Sequence, residues 1–221
     1  MTVLSPPRHP TVTGALHLAR RWCAGHMIDG APALAHAVRV VVVLGQHHPT
    51  APPALLAAVL LHDAPELAPS DQLDPVVMSL LGPETLRIIR VLEAEHRAMA
   101  TPNISGEQTL DRVRRLASDD MPSLLATTAD KIVAFGSVLR RAARVSDPDV
   151  FWQARRPFRD QMPYFHAFRT AAAPFLPRSM ACELTGLLVA ADRACRGLPH
   201  TRTVPQHPTH RKDQPWPTPA T

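Results

Sequence analysis

The residues most capable of chemistry in this chain surround one His-Asp dipeptide. His62 and Asp63 follow the apolar run 54–61, and Glu66 and Asp71 come in the short segment after it. An imidazole and a carboxylate at the end of an apolar helix are costly to bury unless a partner compensates them. The pattern therefore indicates a binding site that other parts of the chain complete.

Two further ionisable residues interrupt apolar segments far from this dipeptide. His36 lies among alanines and valines, and Asp130 lies in the segment ATTADKIVAFGSVL. Taken singly, each has an ordinary explanation, as a hydrogen-bonded core histidine or as a carboxylate paired with a neighbouring cation. Together with His62 and Asp63 they supply two imidazoles and two carboxylates, a ligand set that suits one divalent metal ion. Since buried unpaired charges are strongly destabilising, we predict that these four residues converge on one cation.

The composition favours a helical protein. Hydrophobic residues make up 45% of the 221 residues and charged residues 19%, which is typical of a folded globular chain. Aromatic residues are only 5%, and alanine and leucine fill the apolar segments, which favours helices over strands. We expect an all-α fold with one helical bundle over residues 11–197, a flexible leader at 1–10 and a disordered, proline-rich tail at 198–221.

Charge and hydropathy exclude several classes of partner. The formal net charge is +5, but the arginines are dispersed in pairs such as Arg20-Arg21 and Arg140-Arg141. A continuous basic stripe with interleaved aromatics is absent from the sequence, so no nucleic-acid partner is predicted. No apolar run approaches the length of a membrane span, and the N-terminus lacks the pattern of a signal peptide. The three cysteines lack metal-ligand spacing and are predicted to be reduced thiols, so we expect a cytoplasmic protein without membrane association.

Apolar periodicity and prolines predict the helices that position these residues. A helix is expected over 12–25, a buried one over 32–47 despite its run of valines, and a third from residue 53 to His62-Asp63, where Pro65 ends or kinks it. The other predicted helices cover approximately 75–81, 84–99, 108–118, 122–145, one or two segments within 151–168, and a last one ending near 195. No strand of consequence is expected.

The order of the four candidate ligands resembles the signature of the HD-domain superfamily of metal-dependent phosphohydrolases. That signature is a His, then an HD dipeptide, then a distant Asp, and it matches His36, His62-Asp63 and Asp130. The resemblance covers residues 12–188 and implies a helical domain that holds one divalent metal ion. Mn, Co, Fe, Zn, Ni and Mg are not distinguished by the sequence. The resemblance further implies that the metal polarises a phosphoryl oxygen and lowers the pKa of a bound water.

Within this superfamily the chain is most similar to the bacterial 5′-deoxynucleotidases. Arg21-Trp22 precede the first ligand histidine as they do in that family, and Glu66 and Asp71 match its two acidic positions after the HD dipeptide. The segments ADKIVAF and RDQMPYFHAF also resemble later segments of the family. The chain departs from the pattern at Ala35, where an acidic residue is usual. The resemblance implies a nucleoside 5′-monophosphate as the small-molecule substrate.

The resemblance also assigns candidate roles around the metal. Glu66 would orient or deprotonate the water, or protonate the leaving oxygen, and Asp71 would hold a sugar hydroxyl or assist proton transfer. Arg21 and Lys131 are candidate phosphate contacts. Trp22 either packs against the sugar or is a core residue. A homodimer is expected because related proteins commonly self-associate, and the aromatic cluster within 151–168 is assigned either to the core or to a dimer surface.

Two alternative functions stay open at the level of the sequence. The segments GAPALAHAVRVVVVL and LGPETLRIIRVLEAE resemble the alarmone hydrolases, which remove pyrophosphate from guanosine tetraphosphate. That branch has a Glu-Asp pair after the HD dipeptide and an Asn four residues after the last Asp, whereas this chain has Leu67 and Ala134 at the corresponding positions. The other alternative is a catalytically weak, nucleotide-binding HD scaffold.

Overall fold

Helices form nearly all of the regular structure. The computed structural model describes residues 3–5, 7–28, 30–100 and 106–195. In chain order the helices are α1 (Pro10–Trp22), α2 (Ala33–His47), α3 (Pro53–Leu60), α4 (Ala64–Leu67), α5 (Leu73–Leu81), α6 (Pro83–Ala100), α7 (Gly106–Asp119), α8 (Met121–Ala142), α9 (Pro148–Ala154), α10 (Arg156–Asp160), α11 (Met162–Ala172) and α12 (Arg178–Cys195). The predicted all-α class is confirmed. The predicted tail at 198–221 lies outside the described residues.

Prolines and tight turns define the helices that surround the HD dipeptide. Helix α3 begins at Pro53 and ends at Leu60, so its end comes slightly before the predicted one. The chain leaves it through i→i−3 turns, in which the N–H of Leu61 donates to Ala58 and the N–H of Ala64 donates to Leu61. His62 and Asp63 therefore lie in a turn between α3 and α4 and not within a helix. Pro65 occupies the first turn of α4, where no N–H is needed.

A short hairpin before α2 was not predicted from the sequence. Strands β1 (Met27–Ile28) and β2 (Ala31–Pro32) pair in an antiparallel manner. Gly30 between them has a φ of 73°, a conformation that costs glycine little. Strands of two residues carry too little alternation to be recognised in a sequence. The hairpin leads directly into α2, whose valine run is helical as predicted.

One hydrophobic core extends from α1 to α12. Its largest side chains include Leu44, Ile88, Phe135 and Phe168, all fully buried. The aromatic cluster of 151–168 belongs to the interior, since the Phe135 and Phe165 ring centroids lie 4.7 Å apart. In the described ranges, no helix is both long and apolar enough to cross a membrane.

The N-terminus of α8, which carries Asp130, is capped by Asp120. The Asp120 carboxylate accepts hydrogen bonds from the Ser123 amide at 3.2 Å, from the Ser123 hydroxyl at 2.6 Å and from the Arg87 guanidinium. Burial raises the pKa of Asp120, but these hydrogen bonds outweigh it and hold the pKa below its ordinary value. The cap therefore stabilises the fold when the carboxylate is ionised.

Replacing this cap should destabilise the protein in a pH-dependent way. We expect Asp120→Ala to lower the free energy of unfolding by about 1–2 kcal/mol at neutral pH, measured by urea denaturation. Because the pKa of Asp120 is depressed in the folded state, its contribution is present above the unfolded pKa of about 3.9 and is lost as the pH falls through the folded value. Asp111→Ala, which removes an exposed partner of Arg114, is the control and should change stability by less than about 0.5 kcal/mol. Equal losses in both variants would contradict the assigned cap.

Candidate metal centre

Three separate parts of the fold bring the four predicted metal ligands together. Helix α2 supplies His36, the turn between α3 and α4 supplies His62 and Asp63, and α8 supplies Asp130. His36 Nε2 lies 3.2 Å from His62 Nε2 and 3.2 Å from Asp130 Oδ1, across 94 positions of the chain. His62 Nε2 lies 3.2 Å from Asp63 Oδ2 and 3.6 Å from Asp130 Oδ1. His36 Nε2, His62 Nε2 and Asp130 Oδ1 therefore face a common centre, and Asp63 Oδ2 lies beside it next to His62.

This spacing fits a shared ion. Ligand atoms about 2.1 Å from one metal ion lie roughly 3.0–3.4 Å apart in octahedral or tetrahedral arrangements. The separations of 3.2 Å given above fall in that range. The separation from His36 Nε2 to Asp63 Oδ2 is longer, at 4.0 Å. The cluster of His36, His62 and Asp130 could thus hold a metal ion. Asp63 belongs to an overlapping group of potential ligands with His62 and His96, and its Oδ2 is the second carboxylate oxygen beside His62 Nε2.

The orientation of His62 favours metal binding. The His62 side chain is 2% exposed, and its Nδ1 lies 2.7 Å from the carbonyl oxygen of Val59. Because a carbonyl oxygen can only accept, Nδ1 donates this hydrogen bond and the neutral ring carries its lone pair on Nε2. That lone pair points toward the oxygens of Asp63 and Asp130. A backbone carbonyl that fixes the tautomer in this way is a common second partner of metal-bound histidines.

One carboxylate oxygen in the cluster has no hydrogen-bond partner among the described residues. Asp63 Oδ2 is buried and makes no hydrogen bond with any described residue, although His62 Nε2 is only 3.2 Å away. Two lone pairs that face each other need a positive species between them. A proton on His62 Nε2 would place one positive charge between these two atoms, whereas a divalent metal ion would place two. The donor set therefore fits a divalent cation.

The charges of the cluster are strongly coupled. Burial lowers the pKa of His62, but the charge of Asp63, together with the hydrogen bond and charge of Asp130, raises it overall to about 9. Burial likewise disfavours the ionised form of Asp130. Hydrogen bonds from His36, His62 and His96 outweigh this effect and hold the pKa of Asp130 well below its usual range. Asp130 is thus a carboxylate at any physiological pH, as a metal ligand requires.

His96 joins the cluster, and the sequence analysis missed it. Its Nε2 lies 3.2 Å from Asp130 Oδ2, on the opposite oxygen from the one that faces His36. His96 also forms a second group of potential ligands with His62 and Asp63. A signal was present, since His96 follows the buried Leu92 by four residues and therefore shares its inward helical face. A histidine on an apolar helical face could have been included on that ground.

The two candidate catalytic carboxylates follow the HD dipeptide in the chain and are exposed to solvent. Glu66 is on α4, three residues after Asp63, and Asp71 is in the turn that precedes α5. Both residues are exposed. Within the described residues neither carboxylate has a hydrogen bond or an ion pair, so both are available to a solvent molecule or a ligand.

The three residues predicted to contact the substrate, Arg21, Trp22 and Lys131, lie in different environments. Arg21 is exposed, and its Nη2 donates to Gln72 at 3.5 Å, which places it beside the turn that contains Asp71. Trp22 is a core residue, 4% exposed, whose indole N–H has no hydrogen-bond partner in the described part of the chain. Burial, and then the charge of Asp63, raise the pKa of Cys23, the residue that follows α1, to about 11.

Lys131, predicted to contact phosphate, is buried beside two aromatic rings of α11. It is 2% exposed, and its Nζ lies 4.6 Å from the ring centroid of Phe168 and 5.3 Å from that of Tyr164. Adjacent helical residues diverge by about 100°, so Lys131 leaves α8 in a different direction from Asp130. Its ammonium is stabilised by the two aromatic faces and has no hydrogen-bond partner among the described residues.

Comparisons with known proteins add no assignment. No protein-family model matches the chain, and no curated protein matches it.

Proposed function

We propose that this protein is a metal-dependent phosphohydrolase that releases phosphate from nucleoside 5′-monophosphates. The observation that carries the proposal is the convergence of His36, His62, Asp63 and Asp130, with a buried oxygen of Asp63 left without a hydrogen bond. Two imidazoles and two carboxylates suit a divalent ion that keeps positions open for water and substrate. The order of these residues in the chain supports the HD-superfamily resemblance.

The protein's own residues prepare the centre for hydrolysis. A divalent ion held by the four ligands would supply Lewis-acid chemistry and a more acidic bound water. Val59 fixes the tautomer of His62, and His96 engages the second oxygen of Asp130, which leaves Oδ1 directed at the centre. These contacts restrict the rotation of two ligands before any ion binds.

Proton transfer is assigned to Glu66. Its exposed carboxylate, three residues after Asp63, is free to accept the proton of the attacking water as the new O–P bond forms. The bond from phosphorus to the ester oxygen breaks in the same displacement, and the nucleoside leaves with a proton on its 5′-oxygen. Glu66, once protonated, is the local source of that proton.

The substrate is assigned to the surface between α1 and the turn that contains Asp71. The Arg21 guanidinium lies at this turn and offers two parallel N–H groups, which suit a phosphate oxyanion. Asp71 is an exposed acceptor for a sugar hydroxyl.

A nucleotide panel tests the proposal. We expect the purified protein to release inorganic phosphate from at least one nucleoside 5′-monophosphate when Mn²⁺ or Co²⁺ is added, and to lose this activity in excess chelator. Release would be followed with a colorimetric phosphate assay. Pyrophosphate release from guanosine tetraphosphate, without mononucleotide turnover, would instead support the alarmone hydrolases. Metal binding without turnover of either substrate would support a nucleotide-binding scaffold.

A further inference from the structure

A second cavity, separate from the metal centre, lies among α2, α8 and α12. Its volume is about 580 Å³, which is within the usual range for small-molecule sites. None of the four metal ligands, nor His96 or Glu66, contributes to its lining. The cavity is therefore a different site from the proposed active centre.

Four arginines and one carboxylate make this cavity strongly positive. The basic residues that line it are Arg39, Arg140, Arg141 and Arg144. The one acidic lining residue, Glu183, is already engaged by His47 at 2.8 Å. Within the described residues, no ion pair involves Arg39, Arg140 or Arg144. The exposed side chains of Arg39, Arg140 and Arg144 line the same concave space, so an anion bound there would be attracted to all three.

Gly136 and Gly30 leave space for the guanidinium groups of Arg140 and Arg141, which a larger residue would contact closely. A Cβ atom at Gly136 would meet Arg140 Nη1 at 3.0 Å, and one at Gly30 would meet Arg141 Nη2 at 3.2 Å. Glycine within a helix such as α8 costs about 1 kcal/mol relative to alanine. Gly136 nevertheless occupies the middle of α8, where it lets Arg140 lie against the helix backbone. Both arginines are thus held at the cavity wall.

Most of the remaining wall is apolar, and Gln46 and Ser137 are its polar side chains. Val42 and Val43 from α2, Ile132 and Val133 from α8, and Leu187 from α12 line it. Planar guanidinium forks beside an apolar wall match a ligand that has phosphate groups at one end and a non-polar ring system at the other.

We propose that this cavity binds a small molecule with two or more phosphate groups and an apolar part, such as a nucleoside diphosphate, at a site other than the metal centre. Arg140, Arg144 and Arg39 neutralise the phosphates, and the valines of α2 contact the apolar part. The proposal stands on the cavity and its charges alone. It does not depend on the proposed phosphohydrolase activity.

Calorimetric titration of the full chain with adenosine diphosphate and with inorganic pyrophosphate tests this site. We expect both probes to bind the wild-type protein. The double variant Arg140→Gln/Arg144→Gln should bind each of them on the order of 100-fold more weakly, since each guanidinium contact to a phosphate is worth about tenfold in affinity. The matched control is Arg114→Gln/Arg115→Gln, which removes the same charge from exposed positions of α7 and should leave both affinities within about twofold of the wild type.

Two further variants locate the bound probe. Asp63→Asn alters the metal centre and should leave both affinities unchanged, whereas loss of binding in that variant would place the probe at the metal centre and overturn the proposal. Val42→Trp fills the apolar part of the cavity and should weaken adenosine diphosphate more than pyrophosphate. The proposal is also overturned if neither probe binds the wild-type protein, or if the arginine double variant and its control bind equally well.

Discussion

Asp63→Ala should abolish divalent-metal binding and phosphate release while the protein stays folded. Asp63 Oδ2 is directed at the centre and makes no hydrogen bond within the described structure, so its removal takes away a ligand without breaking a structural hydrogen bond. Loss of one of four ligands should weaken Mn²⁺ binding by more than about 100-fold, since even residues that only support a ligand are worth 10- to 100-fold. Metal affinity would be measured by calorimetric titration, and folding by far-UV circular dichroism and thermal unfolding.

A matched aspartate separates this effect from a general change in charge. Asp74→Ala removes an exposed carboxylate of α5 that pairs with Arg90, and it should retain both metal binding and activity. Asp63→Ala protein that is folded and still binds Mn²⁺ with wild-type affinity would rule out the proposed ligand set.

Glu66→Gln should lower kcat by about 10²–10⁴-fold while metal affinity stays near the wild-type value. The substitution keeps the shape of the side chain but removes its ability to accept a proton. Glu66 is exposed and, among the described residues, has no ion pair, so stability should change by less than about 0.5 kcal/mol. Steady-state kinetics with the best nucleotide of the panel, together with Mn²⁺ titration, would measure both quantities.

The control for this variant is a glutamate of similar exposure on a helix that supplies none of the proposed ligands. Glu107→Gln in the first turn of α7 should leave kcat unchanged. If Glu66→Gln kept full activity, another group would have to carry out the proton transfer, and Asp71 is the next candidate. A loss of activity that follows a loss of bound metal would show that Glu66 acts on the metal and not on the water.

Local rules predicted the helices and the gathering of the candidate ligands. Pro53 begins α3 as predicted, because a proline lacks the backbone donor that the first turn does not need, but α3 ends at Leu60 and Pro65 lies in the first turn of α4 instead. The valine run of α2 is helical, because packing on the buried sides outweighs the small intrinsic preference of valine for strands. His36, His62, Asp63 and Asp130 could be grouped because unpaired ionisable residues in apolar segments need a common partner.

The features that the sequence did not reveal depend on long-range packing. Lys131 was predicted to contact phosphate, and its side chain leaves α8 toward the aromatic residues of α11. The arginine-lined cavity needs three helices to meet, so no local pattern announces it. His96 belongs to an amphipathic helix whose inward face was predicted, but its partner Asp130 lies 34 positions away in the chain.

Crystallographic location of Mn²⁺ tests the central claim most directly. Crystals of the full chain grown with Mn²⁺ should show one anomalous peak among His36, His62, Asp63 and Asp130, about 2.0–2.3 Å from their nitrogen and oxygen atoms. A peak elsewhere on the protein, or none among these side chains at saturating Mn²⁺, would contradict the account.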